Sequence, residues 1–125
     1  MDKYDPLVAP DPETWLGLDE ADRIALIEAY HNAAGIVLPN LALHAGIHAA
    51  VENQIANGDS LPVTERVRQL MAQGLNRHEV LHAIGSVLTK HLIDVQRDRI
   101  RRADANTAYY NALKRLNARK WQRSG

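Results

Sequence analysis

Four of the six histidines in this chain form two pairs, each spaced four residues apart. His44 and His48 occur in HAGIH, and His78 and His82 occur in HEVLH. Because residues i and i+4 lie one above the other on a helix, each pair presents two imidazoles on one helical face. Two such helices packed together would bring four imidazoles to one place, and imidazole is a good ligand for zinc and iron. The sequence therefore predicts a metal centre that holds zinc or iron.

Carboxylates near the histidines extend this candidate site. Glu52 follows His48 by one helical turn, so we expect it to be a ligand or to orient one. The preceding helix adds Glu28 and His31, with the E-x-x-H spacing that two-metal carboxylate centres in helical bundles use. One metal bound by four imidazoles and two metals bridged by a carboxylate both satisfy the pattern. The predicted metal ligands are His44, His48, His78, His82 and Glu52.

The second pair also reads H-E-x-x-H, the motif in which zinc peptidases use the glutamate as catalytic base. Residues 78–88 resemble the metzincin pattern H-E-x-x-H-x-x-G-x-x-H, but Leu88 stands where the third histidine ligand should be. The apolar periodicity continues through Gly85, which predicts an unbroken helix, and Glu79 also suits a capping box at the start of that helix. A zinc-dependent hydrolase with Glu79 as the base that activates metal-bound water is therefore an alternative function.

A third alternative needs no metal. A single histidine on an apolar helical face is usually a core residue that is hydrogen-bonded to the protein, and we interpret His31 and His91 in this way. If all six histidines are core residues of this kind, the protein is a metal-free interaction module with a basic C-terminal tail.

Apolar periodicity predicts an all-α chain, namely a four-helix bundle with an additional C-terminal helix. Asp19 is a suitable cap for the first long helix, and Pro39–Asn40 opens the second. Ser60–Pro62 starts the third, and Asn76 caps the fourth. No alternating strand pattern is visible. The predicted organisation is an extended lead-in at 1–12, a helical bundle with the histidine cluster at 13–97, and a basic helical segment at 98–125.

Charge is unevenly distributed although the formal net charge is zero. Residues 1–30 contain eight acidic and two basic residues (net −6), and residues 97–125 contain nine basic and two acidic residues (net +7). A basic segment that also contains aromatic residues can bind nucleic acid. The acidic N-terminal segment offers an alternative partner, so we expect pairing within the chain or between subunits of a homo-oligomer rather than nucleic-acid binding.

The composition limits both the site and the cellular location. The chain has no cysteine, so a metal site must use histidine and carboxylate. No apolar run approaches the roughly 20 residues that a membrane-spanning helix needs. The acidic N-terminus also lacks the charged-then-apolar order of a signal peptide. We therefore expect a cytoplasmic protein without a membrane span.

Residues 39–54, PNLALHAGIHAAVENQ, resemble the core of a domain-of-unknown-function family of short, uncharacterised bacterial helical proteins. That core reads N-P-x-L-H-x-G-x-H-x-x-x-E-x-Q and precedes a second helix with an H-x-x-x-H pair. The similarity covers about residues 39–97, under half of the chain. The chain departs from the pattern in the order of Pro39 and Asn40, and in the preceding helix, where the family tends to carry further histidines. The resemblance implies a shared fold and histidine cluster, and the departure argues against His31 as a ligand.

Overall fold

The computed structural model describes residues 1–58 and 62–124, and all regular elements within them are helices. The all-α prediction is confirmed. The predicted helix start at Ser60 and Leu61 lies outside the described residues. The described residues form seven α-helices: α1 (Pro12–Leu16), α2 (Glu20–Ala33), α3 (Leu41–Ala56), α4 (Pro62–Ala72), α5 (Arg77–Gln96), α6 (Ala105–Arg115) and α7 (Ala118–Ser124).

Most helices start where the capping residues predict. The side-chain oxygen of Asn40 accepts a hydrogen bond from the backbone N–H of Leu43 at 3.0 Å. At the start of α5, Asn76 accepts from the backbone N–H of Glu79 at 2.8 Å, and the Glu79 carboxylate accepts from the backbone N–H of Asn76 at 3.0 Å. This reciprocal pair is the predicted capping box. Asp19 precedes α2 as predicted, but its side chain makes no capping hydrogen bond.

Helix α3 is central, because it packs against α1, α2, α4 and α5. Two apolar clusters lie on either side of it. The smaller cluster consists of Tyr4, Trp15, Ile27, Ala45 and Ala49. The larger cluster consists of Val51, Val63, Val67, Leu70, Leu75, Val80, Leu81, Ile84, Tyr109, Leu113 and Ala118. Since α3 contributes to both clusters, its histidine-bearing face has a fixed orientation toward α2 and α5.

Helices α3 and α5 approach each other closely at Gly85. A Cβ atom on Gly85 would lie 3.2 Å from Cγ2 of Ile47 and 4.0 Å from Cγ2 of Val51. Helix α5 runs without interruption through Gly85 to Gln96, as the apolar periodicity predicts. The small residue therefore allows the two histidine-bearing helices to come together, and it does not end the helix as it does in metzincins.

The two ends of the chain are more integrated than the sequence suggests. The predicted lead-in has no helix before Pro12, yet Tyr4 is only 4% exposed and belongs to the smaller apolar cluster. At the other end there are two helices rather than one, and a 3₁₀ turn (Arg102–Asp104) separates them from α5. Arg66 of α4 donates hydrogen bonds to the backbone carbonyls of Lys114 and Leu116. The basic segment is thus part of the packed fold.

Among the described residues, no helix combines the length and the apolar character needed to span a membrane.

The close approach at Gly85 predicts opposite effects for two glycine substitutions. Gly85→Leu should lower the free energy of unfolding by about 1–3 kcal/mol, because the new side chain has to separate α3 from α5. Gly46→Ala is the matched control on α3, since no atom lies within 4 Å of the position its Cβ would take. It should raise the free energy of unfolding by about 0.5–1 kcal/mol, because alanine favours the helix. Urea denaturation measures both, and an undiminished stability of Gly85→Leu would contradict the contact.

Candidate metal centre

Four imidazoles from three helices converge in the structure. His31 lies on α2, His48 on α3, and His78 and His82 on α5. One ring nitrogen from each histidine belongs to a group in which all four atoms lie within 4.8 Å of one another. His31 and His48 are buried, and His78 and His82 are half-buried. The structure therefore brings together residues of three helices that are up to 51 positions apart in the sequence.

His44, the remaining predicted histidine ligand, lies beside this group. Its ring centroid is 4.8 Å from that of His31, 5.0 Å from that of His82 and 5.9 Å from that of His48. Both predicted i, i+4 pairs thus face the same region, and His31 of α2 joins them there.

Each of these five histidines has one buried ring nitrogen without a hydrogen-bond partner in the described part of the chain. Such nitrogens are uncommon, because an unpaired buried polar atom costs about 1–3 kcal/mol. Four of these histidines belong to the converging group, and His44 lies beside it. The five buried nitrogens are Nε2 of His31, Nε2 of His44, Nδ1 of His48, Nε2 of His78 and Nε2 of His82.

A backbone carbonyl determines the tautomer of His31. Its Nδ1 atom lies 2.8 Å from the carbonyl oxygen of Ile27, one helical turn earlier. A carbonyl oxygen can only accept, so Nδ1 carries the proton and donates it. In the neutral ring, Nε2 then holds the lone pair, and Nε2 is the nitrogen without a partner. This is the arrangement in which metal-binding histidines are commonly oriented.

A buried chain of polar groups orients His48. Arg77 binds both carboxylate oxygens of Glu52, at 2.7 and 2.8 Å, and the Tyr4 hydroxyl donates to the same carboxylate. The Tyr4 oxygen lies 2.8 Å from Nε2 of His48. Since the hydroxyl proton points to Glu52, the oxygen accepts a hydrogen bond from His48. His48 therefore carries its proton on Nε2, and its Nδ1 lone pair faces the cluster.

The contacts of Glu52 bear on its two predicted roles, which are metal ligand and residue that orients a ligand. Its side chain is 1% exposed, and both of its oxygens are engaged by Arg77. Glu52 does not belong to the converging group of ligand atoms in the described residues. The Tyr4 hydroxyl links it to His48, and its roles as a ligand or as a residue that orients one stay predictions.

Other residues singled out in the sequence lie outside the converging group. Glu79 takes part in the capping box, and its role as a catalytic base stays a prediction. His91 donates from Nδ1 to the carbonyl of Val87 at 2.8 Å and lies beside Tyr109, with ring centroids 6.0 Å apart. Glu28 is half-buried and is not part of the group.

Sequence reasoning missed three contributors to the site: His31, Tyr4 and Arg77. His31 had a signal in the E-x-x-H spacing and in its position on the apolar face of α2. Arg77 directly precedes the H-E-x-x-H motif, but nothing in that motif indicates a buried ion pair with Glu52. Tyr4 had no local signal, because its position depends on the path of a segment without helix.

Burial changes the protonation of the cluster. It lowers the pKa of His48 to about 2 and the pKa values of His44 and His82 to about 4. The pKa of His78 is lowered by the same cause. Neighbouring imidazoles add to each effect, because two positive charges would repel each other at this distance. These rings are therefore neutral at pH 7, as metal ligands must be.

The buried ion pair predicts a large cost for removing Arg77. Arg77→Met should lower the free energy of unfolding by about 3–5 kcal/mol, because it leaves the Glu52 carboxylate buried without its counter-ion. Arg101→Met is the matched control, since Arg101 pairs with Asp104 and the two side chains are 86% and 54% exposed, against 7% and 1% for Arg77 and Glu52. It should cause no measurable loss. Chemical denaturation at pH 7 compares them, and equal effects would contradict the structural role of the buried pair.

The lowered pKa values predict that the metal-free protein loses stability in mild acid. An unfolded histidine has a pKa of about 6.5, so between about pH 6.5 and pH 4 the unfolded chain binds protons that the folded cluster does not. The free energy of unfolding should therefore fall as the pH is lowered through this range. Denaturation of the wild type and of His82→Gln at several pH values measures the effect. The variant should show the weaker dependence, and a parallel dependence in both proteins would argue against a neutral His82.

The family comparison agrees with the sequence resemblance and extends it. The model of the family described as Domain of unknown function (DUF1841) matches residues 4–115. This range begins at Tyr4 and contains all five clustered histidines, Glu52 and Arg77. No curated protein and no solved structure gives a match. Because the family model matches most of the chain, this chain belongs to the DUF1841 family.

Proposed function

We propose that this protein binds one divalent transition-metal ion, zinc or iron, through His31, His48, His78 and His82. The observation that carries the proposal is the convergence of four histidines, each with one ring nitrogen within 4.8 Å of the others. Each also has a buried nitrogen without a hydrogen-bond partner among the described residues. Two of the four histidines have their tautomer set so that the unpaired nitrogen holds the lone pair. His44 is a further donor beside the four.

The donor set favours zinc, iron or another transition metal over magnesium or calcium. Magnesium and calcium prefer oxygen ligands, whereas the converging atoms are imidazole nitrogens. In a tetrahedral site with zinc–nitrogen bonds of about 2.0–2.1 Å, neighbouring nitrogens lie about 3.4 Å apart. The rings would therefore move together by at most about 1.4 Å when the ion binds. Metal binding would also satisfy the nitrogens that are otherwise buried without a partner.

The metal-free alternative explains His91 but not the cluster. His91 is a core histidine tied to a carbonyl one turn earlier and packed on an aromatic ring. The clustered rings differ, because each packs against other imidazoles and has a buried nitrogen without a hydrogen-bond partner in the described part of the chain. A role purely in helix packing would be served better by apolar side chains of similar size.

The peptidase alternative receives no support from the fold. Helix α5 continues past Gly85, so Leu88 stays on the helix and the third ligand comes from other helices. Glu79 is engaged in the capping box. In residues 1–58 and 62–124 there is no strand on which an extended peptide could be held.

The proposal is tested by the metal content of protein purified without a histidine tag. Elemental analysis should find about one zinc or iron ion per chain. Removal of the ion, followed by a competitive zinc titration, then gives the affinity. His48→Ala and His82→Ala should each weaken zinc binding by more than the 10–100-fold that loss of an orienting partner typically costs, because each removes a ligand.

His91→Ala is the matched control, since it removes the histidine that lies outside the cluster. Its zinc affinity should equal that of the wild type, and circular dichroism should confirm that all three variants are folded. Absence of a bound metal in the wild type, together with no measurable zinc uptake, would overturn the proposal. So would equal losses of affinity in His91→Ala and His82→Ala.

A further inference from the structure

A pocket of about 460 Å³ opens between α3 and α5 beside the candidate metal centre. Three of the clustered histidines, His44, His48 and His82, line it. Apolar side chains form most of the remaining wall, and they include Leu43, Ile47 and Leu81. The volume lies within the range of about 300–1,000 Å³ that is typical of pockets for small molecules.

Besides the histidines, the hydroxyl groups of the wall and the side-chain oxygen of Asn40 already make hydrogen bonds within the protein. Ser86 donates its hydroxyl proton to the carbonyl of Ala83, and Thr89 donates to the carbonyl of Gly85, both at 2.8 Å. The side-chain oxygen of Asn40 caps α3. No aspartate, glutamate, lysine or arginine is among the described residues that line the pocket. The wall therefore offers an apolar surface without a fixed charge.

A metal ion in the centre would be the one strong charge facing this pocket. Four neutral imidazoles leave the charge of a divalent ion uncompensated. The nearby Glu52 does not neutralise it, because Arg77 binds both of its carboxylate oxygens. Between apolar walls, attraction between the ion and an anion is stronger than in water. The site thus combines a cationic end with an apolar body.

We propose that the pocket binds a small monoanion with an apolar body, such as a medium-chain carboxylate, whose head group binds the metal as a fifth ligand beside the four imidazoles. This inference rests on the proposed metal-binding function. The hydrocarbon chain lies along Leu43, Ile47 and Leu81. Leu43 is 59% exposed, so part of its side chain is available to be covered by the ligand. The carboxylate offsets one of the two positive charges of the ion, and the ligand needs no charged residue from the wall.

The test uses the cobalt(II)-loaded protein with octanoate, acetate and octan-1-ol as probes. Octanoate should change the visible spectrum of the cobalt ion, because its carboxylate enters the coordination sphere. Titration calorimetry should show octanoate binding at least about a hundredfold more tightly than acetate, since each buried methylene contributes about fourfold. Octan-1-ol, which has the chain without the charge, should bind at least about tenfold more weakly than octanoate and leave the spectrum unchanged.

A pair of leucine substitutions locates the binding site. Leu43→Trp fills the pocket from its rim and should weaken octanoate binding at least tenfold, while the cobalt spectrum without octanoate stays unchanged. Leu92→Trp is the matched control, because Leu92 is similarly exposed, at 51%, and does not line this pocket. It should bind octanoate as the wild type does.

The outcomes separate this inference from the proposed function. If the protein takes up neither zinc nor cobalt, both are wrong. If it takes up zinc but no cobalt, calorimetric titration of the zinc-loaded protein with the same probes decides the pocket inference. If cobalt binds but octanoate leaves its spectrum unchanged, only the pocket inference is overturned. The same holds if acetate or octan-1-ol binds as tightly as octanoate, or if Leu43→Trp and Leu92→Trp have equal affinities for octanoate.

Discussion

The fold is built around a region where helices α2, α3 and α5 face each other through imidazoles instead of aliphatic side chains. Each of the five rings has a buried nitrogen without a hydrogen-bond partner in residues 1–58 and 62–124, and such atoms oppose folding by about 1–3 kcal/mol apiece. Two apolar clusters flank the region and hold the helices in place despite this cost. An ion that accepts the lone pairs of these nitrogens would turn their cost into a favourable contribution to the stability of the fold. Binding of the metal and stability of the fold are therefore coupled in this account.

The N-terminal segment becomes part of the same system through Tyr4. Tyr4 packs against Trp15 and Tyr30, and its hydroxyl links Glu52 to His48. Arg77 anchors the segment further by donating to the carbonyl of Pro6 at 3.1 Å. This non-helical segment is thereby buried. Through the Tyr4 hydroxyl, it also determines which ring nitrogen of His48 carries the proton.

The sequence predicts those features whose interacting residues lie close together along the chain. The spacing of four residues predicts which histidines share a helical face, and the Asn76–Glu79 capping box was readable because its partners are three residues apart. The sequence does not reveal contacts between residues that are far apart along the chain. Glu52 lies on the same face as His48, as its spacing requires, but the sequence does not reveal that Arg77 takes both of its oxygens. Tyr4 is 44 positions from His48, and its path depends on the packing of Trp15.

His31 illustrates a second reason why the histidine cluster is not fully predictable from the sequence. Its position on the apolar face of α2 was visible, but a core histidine and a metal ligand have the same pattern along a single helix. Both kinds of histidine also donate to a carbonyl one turn earlier, as His31 and His91 do. What distinguishes them is the direction of the second nitrogen. That direction depends on which helices pack against α2, and this is a property of the whole fold.

X-ray absorption spectroscopy of the zinc-loaded protein tests the central claim most directly, because it reports the atoms bound to the ion. Coordination by the histidine cluster predicts four or five nitrogen ligands at about 2.0–2.1 Å, together with the outer-shell scattering of imidazole rings. Coordination dominated by carboxylate or water oxygens, without the imidazole pattern, would contradict it.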